Sequence, residues 1–320
     1  MKLYYPAAAL ALLALLTACG KETEPLADTQ FKLDTVVTVK LYDKRDETIL
    51  DGCMEKIDDY ADIFDSRNGE SELGRLNEAL RAGGSMEVSD DLASAVRTGL
   101  YYSELSGGAF DITIEPVSSL WDFDAEEPQV PDAGELKEAA ALVDYRAVTV
   151  EGNTVSSSRQ GVAIDLGAIA KGYIADRLAE YLRNEGVSRA LIDLGGNILC
   201  VGEDFSVGVQ KPFGQTGETL FTLDVTDASV VCSGVYQRYF EENGVRYHHL
   251  LDPKTGMPIQ NGLTAVCIRS SASLDGDALS TVCFALGEEK GLSLAESLDG
   301  IEAAFVLEDG SVKTTSGFDK

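Results

Sequence analysis

Asp277 and Thr281 stand four residues apart in the run Asp275-Gly276-Asp277-Ala278-Leu279-Ser280-Thr281, so a helix would carry a carboxylate and a hydroxyl on one face. Two hard oxygen donors suit Mg2+, which accepts few protein ligands and keeps waters and substrate phosphate oxygens for the rest. An N-terminal helix cap with an ordinary i to i+4 pair accounts for the same residues. A second group, Asp165-Leu166-Gly167-Ala168-Ile169-Ala170-Lys171-Gly172, reads as an apolar strand running into a helix. Backbone amides at a helix start favour an anion, and Lys171 adds positive charge within the first turn. A lysine there opposes the helix dipole, which makes sense if it answers a phosphate, while Asp165 is placed for a ribose or flavin polar group. The segment is neither a Walker loop nor a dinucleotide fingerprint, and a surface lysine beside a capping aspartate is the bland equivalent.

Gly107-Gly108-Ala109-Phe110-Asp111 forms a third group. Two glycines permit a sharp turn close to a ligand, Phe110 can cover a planar heterocycle, and Asp111 can accept hydrogen bonds. A helix stop before a core phenylalanine explains these residues as well. The fourth group runs from Ser233-Gly234 to Arg238 and Tyr239 and, past Asn243-Gly244, from Tyr247 to Pro258; it contains the chain's two histidines, His248 and His249. Successive strand residues point to opposite faces, so at most one of them enters a given site. There it would act as a base beside the stiff Asp252-Pro253-Lys254-Thr255-Gly256 turn; a purely structural histidine is the other reading. Adjacent histidines on a strand do not converge on zinc, and no Cys or His elsewhere completes such a set.

The elements that must hold these groups follow from periodicity. Ile49, Leu50, Cys53, Met54, Ile57, Tyr60, Ala61 and Phe64 fall on one helical face, and Ser89 precedes a second helix with Leu92, Ala95, Val96 and Leu100 on its apolar side. A third helix is expected over about residues 168–184, stopped by Gly186, and a fourth over about 275–286, stopped by Gly287. Short β-branched or alternating runs at 36–41, 147–150, 163–164, 190–194, 206–210, 220–225, 265–268 and 303–307 read as strands. Turn dipeptides at Glu151-Gly152-Asn153 and Asn243-Gly244 favour hairpins. Strand and helix do not alternate regularly, so the expected fold class is α+β, one interlocked unit of antiparallel or mixed sheets flanked by helices.

At the N-terminus, Lys2 is followed by an apolar run from Ala7 to Leu16 and by Leu16-Thr17-Ala18-Cys19. The run is shorter than the ~20 residues of a membrane span, and small residues before a cysteine match lipoprotein signal cleavage. Residues 1–18 are therefore expected to be a signal peptide, Cys19 the lipidated mature N-terminus, 19–30 a flexible tether, and 31–320 the functional domain. The product would be exported and lipid-anchored to the outer face of the cell membrane, or to the periplasmic side in a Gram-negative host. The chain holds 26 basic and 54 acidic side chains, a formal charge of −28, which becomes −29 once the leader with Lys2 is gone. A field of that sign excludes nucleic acid as a partner and requires local cations or a metal wherever a phosphate binds. Cys53, Cys200, Cys232, Cys267 and Cys283 are scattered and odd in number after Cys19, so they are read as buried apolar residues, one isolated bridge remaining open. With 44% apolar residues the chain can bury a large core.

Taken in chain order, the four groups resemble the ApbE family of FAD:protein FMN transferases over about Phe31 to Gly287. The motifs that carry the resemblance are Gly108-Ala109-Phe110-Asp111, Asp165 to Gly172, Ser233-Gly234 to Arg238, His249-x-x-Asp252-Pro253-x-Thr255-Gly256-x-Pro258, and Asp277-Ala278-x-x-Thr281. The resemblance implies that FAD, as substrate, meets Ala109, Phe110, Asp111, Asp165, Lys171 and Leu251. It implies Mg2+ between Asp277, Thr281 and the Ala168 carbonyl, with His249 as the catalytic histidine. Leu33 and Arg67 fall at two further FAD-contact positions but depart from the family: Leu33-Asp34-Thr35 replaces Met-Gly-Thr, and Arg67 takes the place of an aromatic residue, where its guanidinium plane can stack on a ring. The implied reaction is attack by a Ser or Thr hydroxyl of an acceptor protein on the FMN phosphorus of FAD, with AMP leaving. A magnesium-dependent FAD pyrophosphatase and a non-enzymatic flavin-binding lipoprotein are the alternatives.

Overall fold

The structure, a computed structural model, describes residues 24–215 and 217–318. The leader and Cys19 lie outside the described residues. Strands β1 (Leu26–Lys32) and β2 (Thr35–Leu41) form a hairpin, followed by α1 (Glu47–Phe64), α2 (Glu72–Arg81), β3 (Ser85–Glu87) and α3 (Asp90–Leu105). The short α4 (Glu115–Ser118), α5 (Ala133–Ala140) and the hairpin of β4 (Val148–Glu151) and β5 (Thr154–Ser157) lead into α6 (Ala170–Asn184). Next come β6 (Ala190–Leu194), β7 (Asn197–Val201), β8 (Phe205–Gln210), β9 (Thr219–Val225) and β10 (Ser229–Gly234). They are followed by β11 (Tyr239–Glu242), β12 (Val245–His248) and β13 (Leu263–Ser270). Helices α7 (Ser273–Leu286) and α8 (Glu288–Ser297) precede β14 (Glu302–Leu307) and β15 (Val312–Thr314).

Eight strands form one antiparallel sheet in the order β1-β2-β6-β7-β10-β13-β14-β15, beside small sheets β3-β5-β4, β8-β9 and β11-β12. The expected α+β class holds. Strand alternation divides the core into layers. In β13, Val266 and Ile268 join α1, α2, α3, α6 and α7 in the main core, while Cys267 faces the opposite side, under the β8–β9 hairpin with Phe205, Val207 and Leu223. Asp46 and Ser89 cap α1 and α3 by accepting from the Thr48 and Leu92 amides, and Gly186 and Gly287 follow α6 and α7 with φ of 78° each.

Three expectations need correction. Residues 163–164 are not a strand: apart from an isolated bridge between Ile114 and Ala163, the Ile164 backbone is held by a side chain. Buried Asn77 donates to the Ile164 carbonyl at 2.8 Å and accepts from its amide at 2.7 Å, doing for one residue what a neighbouring strand would do. The polar stretch read as tether turns into edge strand β1 from Leu26, because seven residues pair with β2; its mostly exposed side chains are what an edge strand tolerates. Cys232 and Cys267 are not separate buried thiols. The β10–β13 register sets them opposite one another with Cα atoms 4.1 Å apart, and they are disulfide-bonded. Cys53, Cys200 and Cys283 stay buried thiols, each pushed up to about 12 by burial.

Candidate functional site

One cavity of about 980 Å3 opens between the sheet's α6–α7 side and the loops after α3 and β12. It is lined by Leu33, Arg67, Ala109, Phe110, Asp111, Asp165, Ala168, Lys171, His249, Leu251, Asp277 and Thr281, every site residue expected from the sequence within the described chain.

The polar wall depends on two helices that cap each other. Neither α6 nor α7 has a side-chain cap from its own N-cap residue. Instead Asp176 of α6 accepts from the Ser273 and Leu274 amides at the start of α7, at 2.8 and 2.9 Å. Asp277 of α7 in return accepts from the Gly172 amide at the start of α6, at 2.8 Å. Carboxylates at helix N-termini are favoured by both the free amides and the dipole. Glycine is needed at 172, since a Cβ there would sit 2.4 Å from the Ser273 carbonyl oxygen. With its amide turned to Asp277, Gly172 leaves the Ala168 carbonyl, four residues back, free of the helix ladder.

Asp277 is 4% exposed, and burial raises its proton affinity against the opposing effects of the Lys171 ammonium, 3.9 Å away, the Gly172 amide and nearby Asn197. Its ionised form thus has room for more positive charge than the fold supplies. Thr281 Oγ1 lies 3.2 Å from Ser233 Oγ, which is 2.7 Å from Ser280 Oγ. Among the described residues there is no group of three or more His, Cys, Asp or Glu that could hold a metal. A cation here would therefore have one carboxylate, one hydroxyl and one carbonyl from the protein. That donor set fits Mg2+ completed by ligand phosphate and water, and does not fit zinc.

The facing wall is built from loops. Past α3, Gly107 and Gly108 adopt φ of 63° and 78°, and Ser106 Oγ accepts from the Phe110 amide at 3.0 Å, which swings Ala109 and Phe110 to the cavity. Asp111 is already engaged: it accepts from the Thr113 amide and hydroxyl and from the Tyr145 amide, and burial still raises its proton affinity. Asp165 accepts from Gly167 N at 2.8 Å and from Ser118 Oγ at 2.6 Å. Trp121 stacks on Phe123 with ring centroids 5.4 Å apart and donates from Nε1 to the Gly256 carbonyl, tying the rings to the turn that Asp252 braces.

The adjacent histidines separate as expected of a strand. His248 is 2% exposed, with Nε2 on the Ile259 carbonyl and Nδ1 accepting from the Leu250 amide; burial holds it down to about 4. His249 lines the cavity. Its Nδ1 lies 3.3 Å from the Arg238 carbonyl, so that nitrogen carries the proton and Nε2 keeps a lone pair. Burial first, with help from the nearby His248, Arg238 and Lys171, brings it down to about 3.

The family model described as the ApbE family matches residues 33–305. The chain is 34% identical to the FAD:protein FMN transferase of Treponema pallidum over 310 residues, covering 89% of this chain and 85% of that one. It is 37% identical to one from Klebsiella pneumoniae over 283 residues, covering 88% of each. The chain belongs to the ApbE family. Among solved ApbE structures, the flavin transferase from Vibrio cholerae superposes with a TM-score of 0.82 at 26% identity, covering 92% of this chain and 98% of that one. The Pseudomonas stutzeri flavinyl transferase in its apo form gives 0.81 at 30% identity, covering 92% and 96%. This member of the ApbE family is accordingly a transferase enzyme. Further residues line its cavity without belonging to any of the sequence groups, among them Ser118, Trp121, Phe123 and Asn197. Trp121, the chain's one tryptophan, and Gly195-Gly196 before Asn197 were the signals available.

Proposed function

We propose that the enzyme transfers the FMN half of FAD to a Ser or Thr hydroxyl of an acceptor protein, releasing AMP. The observation that carries this reading is the convergence of Lys171, Asp277, Thr281 and His249 on one cavity large enough for a dinucleotide. Lys171 meets the pyrophosphate, while Phe110 and Leu251 pack on flat ring surface. The acceptor hydroxyl oxygen forms a bond to the FMN phosphorus, the bond from that phosphorus to the bridging oxygen breaks, and AMP departs with that oxygen. The hydroxyl proton passes to His249 Nε2. Phosphoryl transfer needs alignment and charge stabilisation more than covalent help. Mg2+, held by Asp277, Thr281 and the Ala168 carbonyl, would supply positive charge to the phosphate oxygens. Leu33, Arg67, Ala109, Asp111 and Asp165 complete the FAD contacts in this reading.

Incubation of the soluble domain with FAD and Mg2+ tests it. Covalent fluorescent flavin on a candidate acceptor, with AMP formed only when the acceptor is present, is the expected result. Free FMN and AMP without acceptor would mean hydrolysis, and tight FAD without turnover would mean a binding protein; either overturns transfer. In the same reading residues 1–18 are removed, Cys19 is lipidated and the residues after it tether the domain outside the membrane, which the sequence Leu16-Thr17-Ala18-Cys19 supports. Cys19→Ser should move the protein from the membrane fraction to the soluble one.

A further inference from the structure

Asn197 is 1% exposed and lines the cavity, yet its Nδ2 has no hydrogen-bond partner. Buried polar groups without partners are few, and each one asks for an explanation. The amide cannot be relieved by turning over. Its Oδ1 accepts from Ser273 Oγ at 2.6 Å, and Ser229 Oγ stands 2.9 Å behind that hydroxyl. A flip would also set Oδ1 rather than the NH2 group toward the Asp277 carboxylate, which the amide faces. Nor can the backbone swing. Asn197 opens β7 straight after Gly195 and Gly196, both at positive φ, a two-residue turn of the kind that fixes hairpin register. The donor is held toward the Asp277 carboxylate, at the polar end of the cavity that Lys171 and Thr281 also line.

We propose that Asn197 Nδ2 is a phosphate-oxygen donor, binding an oxygen of the pyrophosphate when a dinucleotide occupies the cavity. The identification of that pyrophosphate as part of FAD rests on the function proposed above. The one acceptor of the fold that the NH2 group faces is the Asp277 carboxylate, near enough to stabilise its charge but not in hydrogen-bond geometry and already accepting from the Gly172 amide, so an oxygen that the ligand brings would give this donor its partner. Its neighbours, an ammonium, a hydroxyl and a carboxylate suited to a cation, select an oxyanion rather than ring surface. With Asn197 in place, the phosphate is gripped from the sheet as well as from the two helices.

The test is calorimetric titration of inorganic pyrophosphate in Mg2+ against wild type, Asn197→Ala and Asn197→Asp, with riboflavin and FAD titrated in parallel by flavin fluorescence. Asn197→Asp keeps the volume and the acceptor for Ser273 while removing the donor, so it covers the case in which the alanine variant fails to fold. Pyrophosphate and FAD binding should weaken about tenfold or more in both variants, and riboflavin binding should stay within about twofold. Equal pyrophosphate affinity across the three proteins overturns the proposal, as does equal weakening of riboflavin and FAD, or a wild type that takes no pyrophosphate. A wild type that binds pyrophosphate through Asn197 but ignores FAD would overturn the flavin reading and leave the Asn197 contact standing. Parallel titrations with AMP and FMN say which of the two phosphates Asn197 holds, according to which one loses affinity.

Discussion

The two walls of the cavity are made in opposite ways. The α6–α7 wall is rigid backbone geometry: two helix starts capped by each other's aspartates, with Gly172 permitting the contact. The facing wall is loop, with Phe110 set by two glycines and Trp121 and His249 fixed through main-chain carbonyls of Gly256 and Arg238. One wall concentrates charge in a protein of net −28; the other offers rings and a neutral imidazole. The first leaves no room between its helices even for a Cβ at position 172. The second gets its precision from single hydrogen bonds and should tolerate change more readily.

The largest effect is expected where the polar wall has its one buried carboxylate. Asp277→Asn keeps an acceptor for Gly172 but removes the charge, so Mg2+-dependent turnover should fall by about three orders of magnitude, the size of several kcal/mol of lost electrostatic stabilisation. Turnover above a tenth of wild type, measured as AMP release with acceptor present, would break the division of labour between the walls. Next comes His249, the base of the proposed reaction. His249→Ala should cost about 10²- to 10⁴-fold in kcat. Because His249 is already neutral at pH 7 and charges only near 3, lowering the pH through 6.5 should not switch it off. A limb of kcat/KM near pH 6.5 that vanishes in His249→Ala would show that the free enzyme's imidazole is not held neutral.

How far all this was legible in sequence differs between the walls too. Asp277 and Thr281 announced themselves by spacing, and Lys171 by its unfavourable place at a helix start. The interlock that gives them meaning joins Asp176 to Ser273 and Asp277 to Gly172, pairs about a hundred residues apart, and no local pattern encodes it. The same holds for Cys232 and Cys267, which only the β10–β13 register brings together, and for Asn77, whose side chain stands in for a strand at Ile164. On the loop wall, the glycine pair and the Asp252 turn are local signals. Asn197 carries no local signal of its own, because an asparagine after two glycines is ordinary turn chemistry.

Gly172→Ala probes spacing alone. The added Cβ would meet Ser273 O at 2.4 Å and Leu274 Cα at 2.7 Å, so the helices must part. Overpacking of this kind costs about 1–3 kcal/mol, and as Asp277 moves off the cavity Mg2+ affinity should drop about tenfold. Unchanged metal affinity by calorimetry, in a protein whose denaturant midpoint has fallen, would show that Asp277 does not need the helix contact.

The smallest effect tests the loop wall. Trp121→Phe keeps a ring to stack on Phe123 but loses the bond from Nε1 to the Gly256 carbonyl, 2.9 Å in the native protein. One neutral hydrogen bond contributes about 1 kcal/mol, and leaving a buried carbonyl unmet adds to the loss. The turn braced by Asp252 would still hold, since Lys254 N, Thr255 Oγ1 and the Gly256 amide all bond to that residue. The ring surface should therefore loosen rather than collapse, raising KM for FAD a few-fold with kcat nearly unchanged. A fall in kcat comparable to that of His249→Ala would mean that Trp121 positions the reacting groups through the Gly256 turn. The loop wall would then be as exacting as the helical one.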